Sequence, residues 1–391
     1  MTHQPATESD LCAIVADARA KKTPLAIEGG GTRAGLGRPS QTADTVSMRG
    51  LDGIVFYEPA EMVICARAGT PLADIEALLA ERNQILPFEP PDHRRLYGSS
   101  GAPTIGAIAA CNLSGSRRIS VGAARDGLIG VRFVNGAGEA IKSGGRVMKN
   151  VTGLDLVKLS AGAHGTLGAL TEVTFKLLPK PETSATLVLD GLDDARAIAA
   201  LSQALGSPFE VSGAAHLPAG VGADTARTLL RIENFAASVA YRIDELRKLV
   251  SGGAVIDDAA SCALWRDVSE CAFFGAPDNR AIWRVSTAPS RAPDLVRLIQ
   301  RNGAVAHFYD WGGGLVWLAV DATGEARAKD IRAAVAVTGG HATLVRAPDE
   351  VRAHTQVFQP LSDPLMKLTR GVKASIDPDG ILNPGRMYAG I

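Results

Sequence analysis

EGGGTRAGLG, residues 28–37, comes directly after a strand-like segment at 24–28. Consecutive glycines at a strand end leave backbone N–H groups free to converge on an anion, and they let a bulky ligand approach the main chain. A tight surface turn accounts for the same residues. Two familiar nucleotide loops are excluded here. The glycines do not fall in G-x-G-x-x-G order, and the chain has no Gly-Lys pair for a Walker lysine.

Two further stretches repeat the theme. GAPTIGAIAACNLSG (101–115) sets Thr104, Asn112 and Ser114 among small residues, a surface for a planar ligand or for a closely packed helix. RRISVGAARDG (117–127) continues it with Arg117, Arg118 and Arg125 available to anions. The third stretch, 149–173, brackets Thr166 with Gly162, Gly165 and Gly168 just before a strand. Three such stretches in one 180-residue region point to a ligand of dinucleotide size. They also account for part of the glycine excess: 42 of 391 residues are glycine, against a usual level of roughly 7%.

Composition narrows the function classes. The 41 Lys+Arg balance 41 Asp+Glu, so there is no global field for nucleic acid or an anionic membrane. Cysteines 12, 65, 111, 262 and 271 show no C-x-x-C spacing, which excludes a zinc or iron–sulfur ligand set and predicts no metal. The N-terminal 22 residues carry acids where a signal peptide carries bases, and no apolar run reaches membrane-spanning length. The expected location is the cytoplasm, with any membrane contact made through a partner.

The pattern predicts helices at 8–22, capped by Ser9 or Asp10, and from Thr70 to Asn83, and a hairpin over 130–145 turning at Asn135–Gly136. A strand over 167–181 ends at Pro179. Beyond about 183, strand-like and helix-like segments alternate, predicting an antiparallel sheet with helices on one face. All four tryptophans (265, 283, 311 and 317) lie there.

Taken together, EGGGTRAGLG, PTIGAIAACNLSG (103–115), KNVTGLDLVKL (149–159), GTLG (165–168) and the tail DPDGILNPGR (377–386) resemble the vanillyl-alcohol-oxidase type of FAD-linked oxidoreductase. The resemblance covers 24–181 and the tail, and is weak over 183–360. It implies an α+β chain: a PCMH-type FAD-binding domain of two α+β subdomains (1–182), an α+β cap domain for substrate or partner (183–360), and a tail returning to the FAD site (361–391). Within the family, length and tail are most similar to the FAD-binding subunits of bacterial glycolate oxidases.

The site residues follow from that resemblance. Gly29, Gly30, Gly31, Thr32 and Gly35 would lie against the FAD pyrophosphate. Gly101, Thr104, Ile105 and Gly106 would line the pyrophosphate and flavin side, and Asn112, Ser114 and Gly115 the ribityl chain. Gly165, Thr166, Leu167, Gly168 and Leu170 would border the adenosine half, and Asn383 would return to the isoalloxazine ring. The covalent-flavin histidine of some relatives is replaced by Gly31–Thr32–Arg33, implying non-covalent FAD. His164 stands where relatives carry a carboxylate, as a packing residue or an acid–base group.

The substrate motif departs further. Hydroxy-acid dehydrogenases of the family share a G-H-x-G-D-G-N-x-H stretch; AHFYDWGGGLVWL (306–318) retains His307 and Asp310 but no second histidine. Oxidising a 2-hydroxy acid needs a base near the hydroxyl and a cation on the carboxylate. His307 is the candidate base and Arg284 or Arg266 the clamp. The competing reading has His307 filling a polar gap and the arginines paired with Asp267 or Glu270. The resemblance implies glycolate oxidation within a complex holding a sister FAD-binding glycolate oxidase subunit and an iron–sulfur subunit. The alternatives are a self-sufficient 2-hydroxy-acid (D-lactate-like) dehydrogenase and a scaffold subunit with little activity.

Overall fold

The structure, a computed structural model, describes residues 1–146, 153–275 and 279–391. Residues 149–152 of the KNVT motif lie outside the described residues.

The first half is built on two sheets. A small parallel sheet places Asp44–Ser47 between Thr2–His3 and Leu25–Glu28. Helix Glu8–Lys21 packs on it through Leu11, Val15 and Ala18. Its cap is Thr7 rather than Ser9 or Asp10: Thr7 Oγ1 accepts from the Asp10 amide at 3.1 Å, and the Asp10 carboxylate accepts from the Thr7 amide at 2.9 Å. This reciprocal pair satisfies two otherwise orphaned donors.

The second sheet is antiparallel, in the order Ile54–Glu58, Val63–Arg67, Ala169–Lys176, Leu128–Val134, Ala140–Gly144. It contains the expected hairpin, whose turn is held by Asn135 Oδ1 accepting from the amides of Ala137 and Glu139. Val134 and Ala169 share a core with Leu11, Leu25 and Leu382, so the two sheets and the tail close on one another. Helix Leu72–Ala80 starts later than its sequence suggests. Thr70 Oγ1 donates to the carbonyls of Gly53 and Arg67 instead of capping it.

The second half is an eight-stranded antiparallel sheet. Its order is Ala254–Asp257, Thr183–Asp190, Arg227–Asn234, Gly213–Leu217, Ala306–Asp310, Leu315–Asp321, Arg280–Ser286, His341–Arg346. The architecture is α+β, with one difference from expectation: helices occupy both faces. Asp194–Leu205, Ala236–Leu249, Ala292–Gln300 and Ala328–Thr338 cover one face, over Leu187, Leu230, Trp283 and Leu318. Asp258–Ser269 packs on the other, where Trp265 donates its indole N–H to Thr186 at 2.8 Å. That second face also receives Leu96 and Tyr97 from the first half.

Candidate functional site

The glycine loop at 29–31 lies against the segment before helix Ile105–Cys111. A Cβ on Gly30 would stand 1.8 Å from the Ala102 carbonyl oxygen, and one on Gly101 1.8 Å from that of Gly30. A Cβ on Gly29 would meet Thr104 Oγ1 at 2.1 Å. Gly30 and Gly101 are thus demanded first by backbone packed on backbone, and Gly29 by the Thr104 side chain. Gly31 differs: it adopts φ 72° and faces open space.

Between the loops runs a cleft lined by Gly29 to Ala34, Thr104, Gly106, Cys111, His164, Gly165, Gly168, Leu170 and Arg386. Its walls are suited to an anion. The amides of Gly30, Gly31, Thr32 and Arg33 donate to no protein acceptor among the described residues. Thr104 is 1% exposed, and its hydroxyl has no partner. A buried polar atom left unpaired is costly, so a ligand group there is expected. Arg33 and Arg386 add positive charge; burial pulls the pKa of both below the arginine range. Histidine 164 offers an unpartnered Nδ1 to the same cleft, and burial, aided by Arg386 and Arg284, lowers its pKa to about 3. Its ring is therefore neutral.

Several residues expected at the ligand are placed elsewhere. The amides of Ile105 and Gly106 donate to the carbonyls of Thr70 and Ala68, so neither is free for a ligand. Ile105, Gly35, Gly101 and Leu167 do not line the cleft; Gly35 packs beside Tyr97. Asn112 caps helix Ile105–Cys111 at φ 50°, and its side chain accepts from the Arg125 amide at 2.9 Å. Thr166 donates its hydroxyl to Ala163, while its carbonyl accepts from buried Lys373. Asn383 works as a staple: its side chain joins the Ile27 amide at 2.9 Å to the His164 carbonyl at 2.8 Å. It thereby sets the spacing of two cleft walls without lining the cleft.

A second, small cavity lies between the halves. Ser114 and Gly115 line it with His93, Ser269, Arg284, Asp310, Trp311 and Trp317. Arg284 makes no hydrogen bond or ion pair among the described residues. It lies over Trp311 at 5.4 Å, and Arg118 lies over the same ring at 4.4 Å. Burial and the charge of Arg118 lower the Arg284 pKa to about 10, which leaves it cationic at neutral pH. Asp310 is 2% exposed; it accepts from Ser116 Oγ and from the Trp311 amide, both at 2.7 Å. Burial raises its pKa to about 7.

His307 is not part of this arrangement. Opposed residues of an antiparallel pair share a sheet face. His307 opposes Leu318, which opposes Trp283; Arg284 opposes Trp317, which opposes Phe308. His307 and Arg284 therefore project from opposite faces. On its own face His307 Nε2 meets Asp194 at 2.9 Å, beside Tyr309 Oη at 2.7 Å from the same carboxylate. The polar-gap reading holds for it. Arg266 is exposed on helix Asp258–Ser269, in a separate groove with Glu76 and Glu270. Arg117 is also committed, to Glu233 and Glu89. His93 and Trp311 are what residue-by-residue reading passed over, while Arg118 was among the arginines it offered to anions. The only local signal was a histidine closing the proline-rich PFEPPDH loop (87–93).

Comparisons with known proteins agree with this geometry. Residues 1–144 match the model of the FAD binding domain. The chain is 37% identical to glycolate oxidase subunit GlcE of Escherichia coli, over 94% of this chain and 93% of that protein. It is 29% identical to glycolate oxidase subunit GlcD of Bacillus subtilis over 47% of this chain and 38% of the relative. Among solved structures, p-cresol methylhydroxylase with substrate bound superposes with a TM-score of 0.73 at 14% identity. That superposition covers 99% of this chain and 88% of the other, and at this identity it speaks for the fold alone.

Proposed function

Because the chain belongs to the vanillyl-alcohol-oxidase type of FAD-linked oxidoreductases, we propose that it is the FAD-binding subunit of a glycolate-oxidising complex. Glycolate becomes glyoxylate, and electrons pass to an iron–sulfur partner beside a sister flavin subunit. The observation that carries this reading is Arg284, a half-buried guanidinium with no carboxylate of its own, in a cavity between the second-half sheet and the loops flanking the cleft. A small acid's carboxylate satisfies it.

The residues present fit FAD. Unpaired Thr104 Oγ1 and the free amides of 30–33 would hold the pyrophosphate, with Arg33 and Arg386 offsetting its charge. When bound, FAD supplies the acceptor for the two electrons and the hydride of the substrate C–H bond. The chain's own part is to seat the carboxylate on Arg284, and to exclude water by closing Trp311 and Trp317 over the cavity. We read 1–182 as the FAD-binding unit, 183–360 as the cap and 361–391 as the returning tail. FAD is held without a covalent bond, and the protein resides in the cytoplasm. No helix among the described residues is long and apolar enough to cross a membrane.

Reconstitution tests the assignment. The purified chain is expected to be yellow, and its flavin to bleach with glycolate when the sister and iron–sulfur subunits are present. A colourless protein, or one that glycolate leaves oxidised in the full complex, refutes it. Bleaching by the chain alone identifies the self-sufficient dehydrogenase instead. The cleft itself is tested by Gly30→Val. Its Cβ collides with the Ala102 carbonyl, and overpacking of ~1–3 kcal/mol translates into FAD binding weaker by about ten- to a hundredfold. Fluorescence titration of the apoprotein measures this, and an unchanged Kd contradicts the placement.

A further inference from the structure

We propose that His93 is the general base of this reaction, its Nδ1 taking the hydroxyl proton of a 2-hydroxy acid whose carboxylate rests on Arg284. The inference builds on the proposed oxidation and supplies the base that His307 cannot be.

His93 ends the proline-rich loop at φ 58° and is 4% exposed. It lines the cavity that contains Arg284. Its Nε2 lies 3.1 Å from the Ser269 carbonyl oxygen. A carbonyl only accepts, so Nε2 carries the ring hydrogen and Nδ1 carries the lone pair. That Nδ1 is buried and has no partner in the protein. An acceptor stripped of water and left unpaired is destabilising, and a ligand hydroxyl removes the penalty. Edge-on contacts with Tyr97, at 6.4 Å, and Trp317, at 6.1 Å, hold the ring in place.

The charged groups facing it are Arg33 on the glycine loop, Arg284 on the cap sheet and Asp92 beside it. Burial, reinforced by the two arginines, lowers the His93 pKa to about 3, so the imidazole is in its basic form throughout the neutral range. A carboxylate on Arg284 cancels one of those charges, and His93 becomes more basic when substrate arrives. The balance is simple. The C–H bond leaves with its electron pair as hydride to the flavin, the O–H proton passes to Nδ1, and the C=O bond forms. The acid is oxidised by two electrons to a 2-oxo acid, the flavin is reduced by two, and the imidazolium returns its proton to solvent.

The test uses the FAD-loaded protein with its partner subunits and follows flavin bleaching by glycolate and by D-lactate. His93→Gln is expected to slow bleaching by about 100-fold or more. FAD content and the flavin spectral shift on adding acetate, which lacks the hydroxyl, stay as in the wild type. His93→Gly is conformationally at ease at this φ; added imidazole should restore its bleaching, and its residual rate should climb with pH as hydroxide replaces the base. Bleaching of His93→Gln within about threefold of wild type, or acetate binding lost in parallel with bleaching, overturns the role of His93 alone. A wild-type complex that neither acid bleaches overturns the oxidation itself, and His93 with it.

Discussion

Arg284→Met is expected to lower kcat/KM for glycolate or D-lactate by about a thousandfold while leaving FAD bound. Truncating one member of a desolvated, hydrogen-bonded charge pair costs ~2–5 kcal/mol, which spans roughly thirtyfold to several thousandfold. Arg284 belongs at the upper end, because its half-buried guanidinium pairs with no carboxylate among the described residues. A rise in KM alone marks a clamp used equally in ground and transition states; a parallel fall in kcat marks one that tightens during reaction. Arg284→Lys recovers only part of the loss, since an ammonium lacks the fork that matches two carboxylate oxygens. Stability moves the other way. Removing an unpaired, half-buried charge without stranding a partner is neutral or stabilising, so Tm of the ligand-free variant stays level or rises. An undiminished kcat/KM, or a Tm lower by several degrees, sinks the assignment.

Arg231→Leu is expected to destabilise the protein by about 3–5 kcal/mol, the cost of breaking a buried pair from one side. Arg231 is 2% exposed. It donates to both oxygens of Glu89, at 2.7 and 3.0 Å, and its Nε lies 3.2 Å from Glu233. Arg117 completes the network at 2.8 Å from Glu233. Glu89 and Arg117 come from the first half, Arg231 and Glu233 from strand Arg227–Asn234 of the second. The network therefore joins the Glu89 and Arg117 loops of the first half to the second-half sheet. Burial pushes both carboxyl groups up, but Arg231 and Arg117 outweigh it, and Glu233 titrates at about 2 instead of 4.5. A folded-state pKa below the unfolded one stabilises above the unfolded value, and that contribution fades as pH falls through the folded one. The penalty of Arg231→Leu, measured by denaturant unfolding, should thus be full at neutral pH and shrink between about pH 4.5 and 2. A pH-independent penalty means that packing against Trp265, 4.8 Å from the guanidinium, carries the effect instead.

Much of the cleft was legible because its signals are local. A glycine forced by a carbonyl 1.8 Å from its missing Cβ is a property of one loop and its neighbour. Local reading also misattributed some residues. Ile105 and Gly106 belong to a recognisable motif, yet their amides serve the backbone at Thr70 and Ala68. Asn383 in the tail shapes the cleft from behind.

The cap resisted for a different reason. Histidine 307 and Asp310 are three residues apart in one strand, and the pleat sends them to opposite faces. Which face looks toward His93 and Gly115 is decided by strand order and by the loops that dock on it, neither of which is written near residue 307. His93 and Arg284 stand 191 positions apart and line one cavity. No periodicity connects them. The sequence by itself determined the α+β class, the glycine loops and the FAD-linked family, because those depend on contacts within or between neighbouring segments. Tertiary structure alone set Arg284, and not Arg266 or His307, in one cavity with His93 and left His93 Nδ1 unpaired. Burial and the absence of a partner belong to the packed interior, where distant segments strip one another of water.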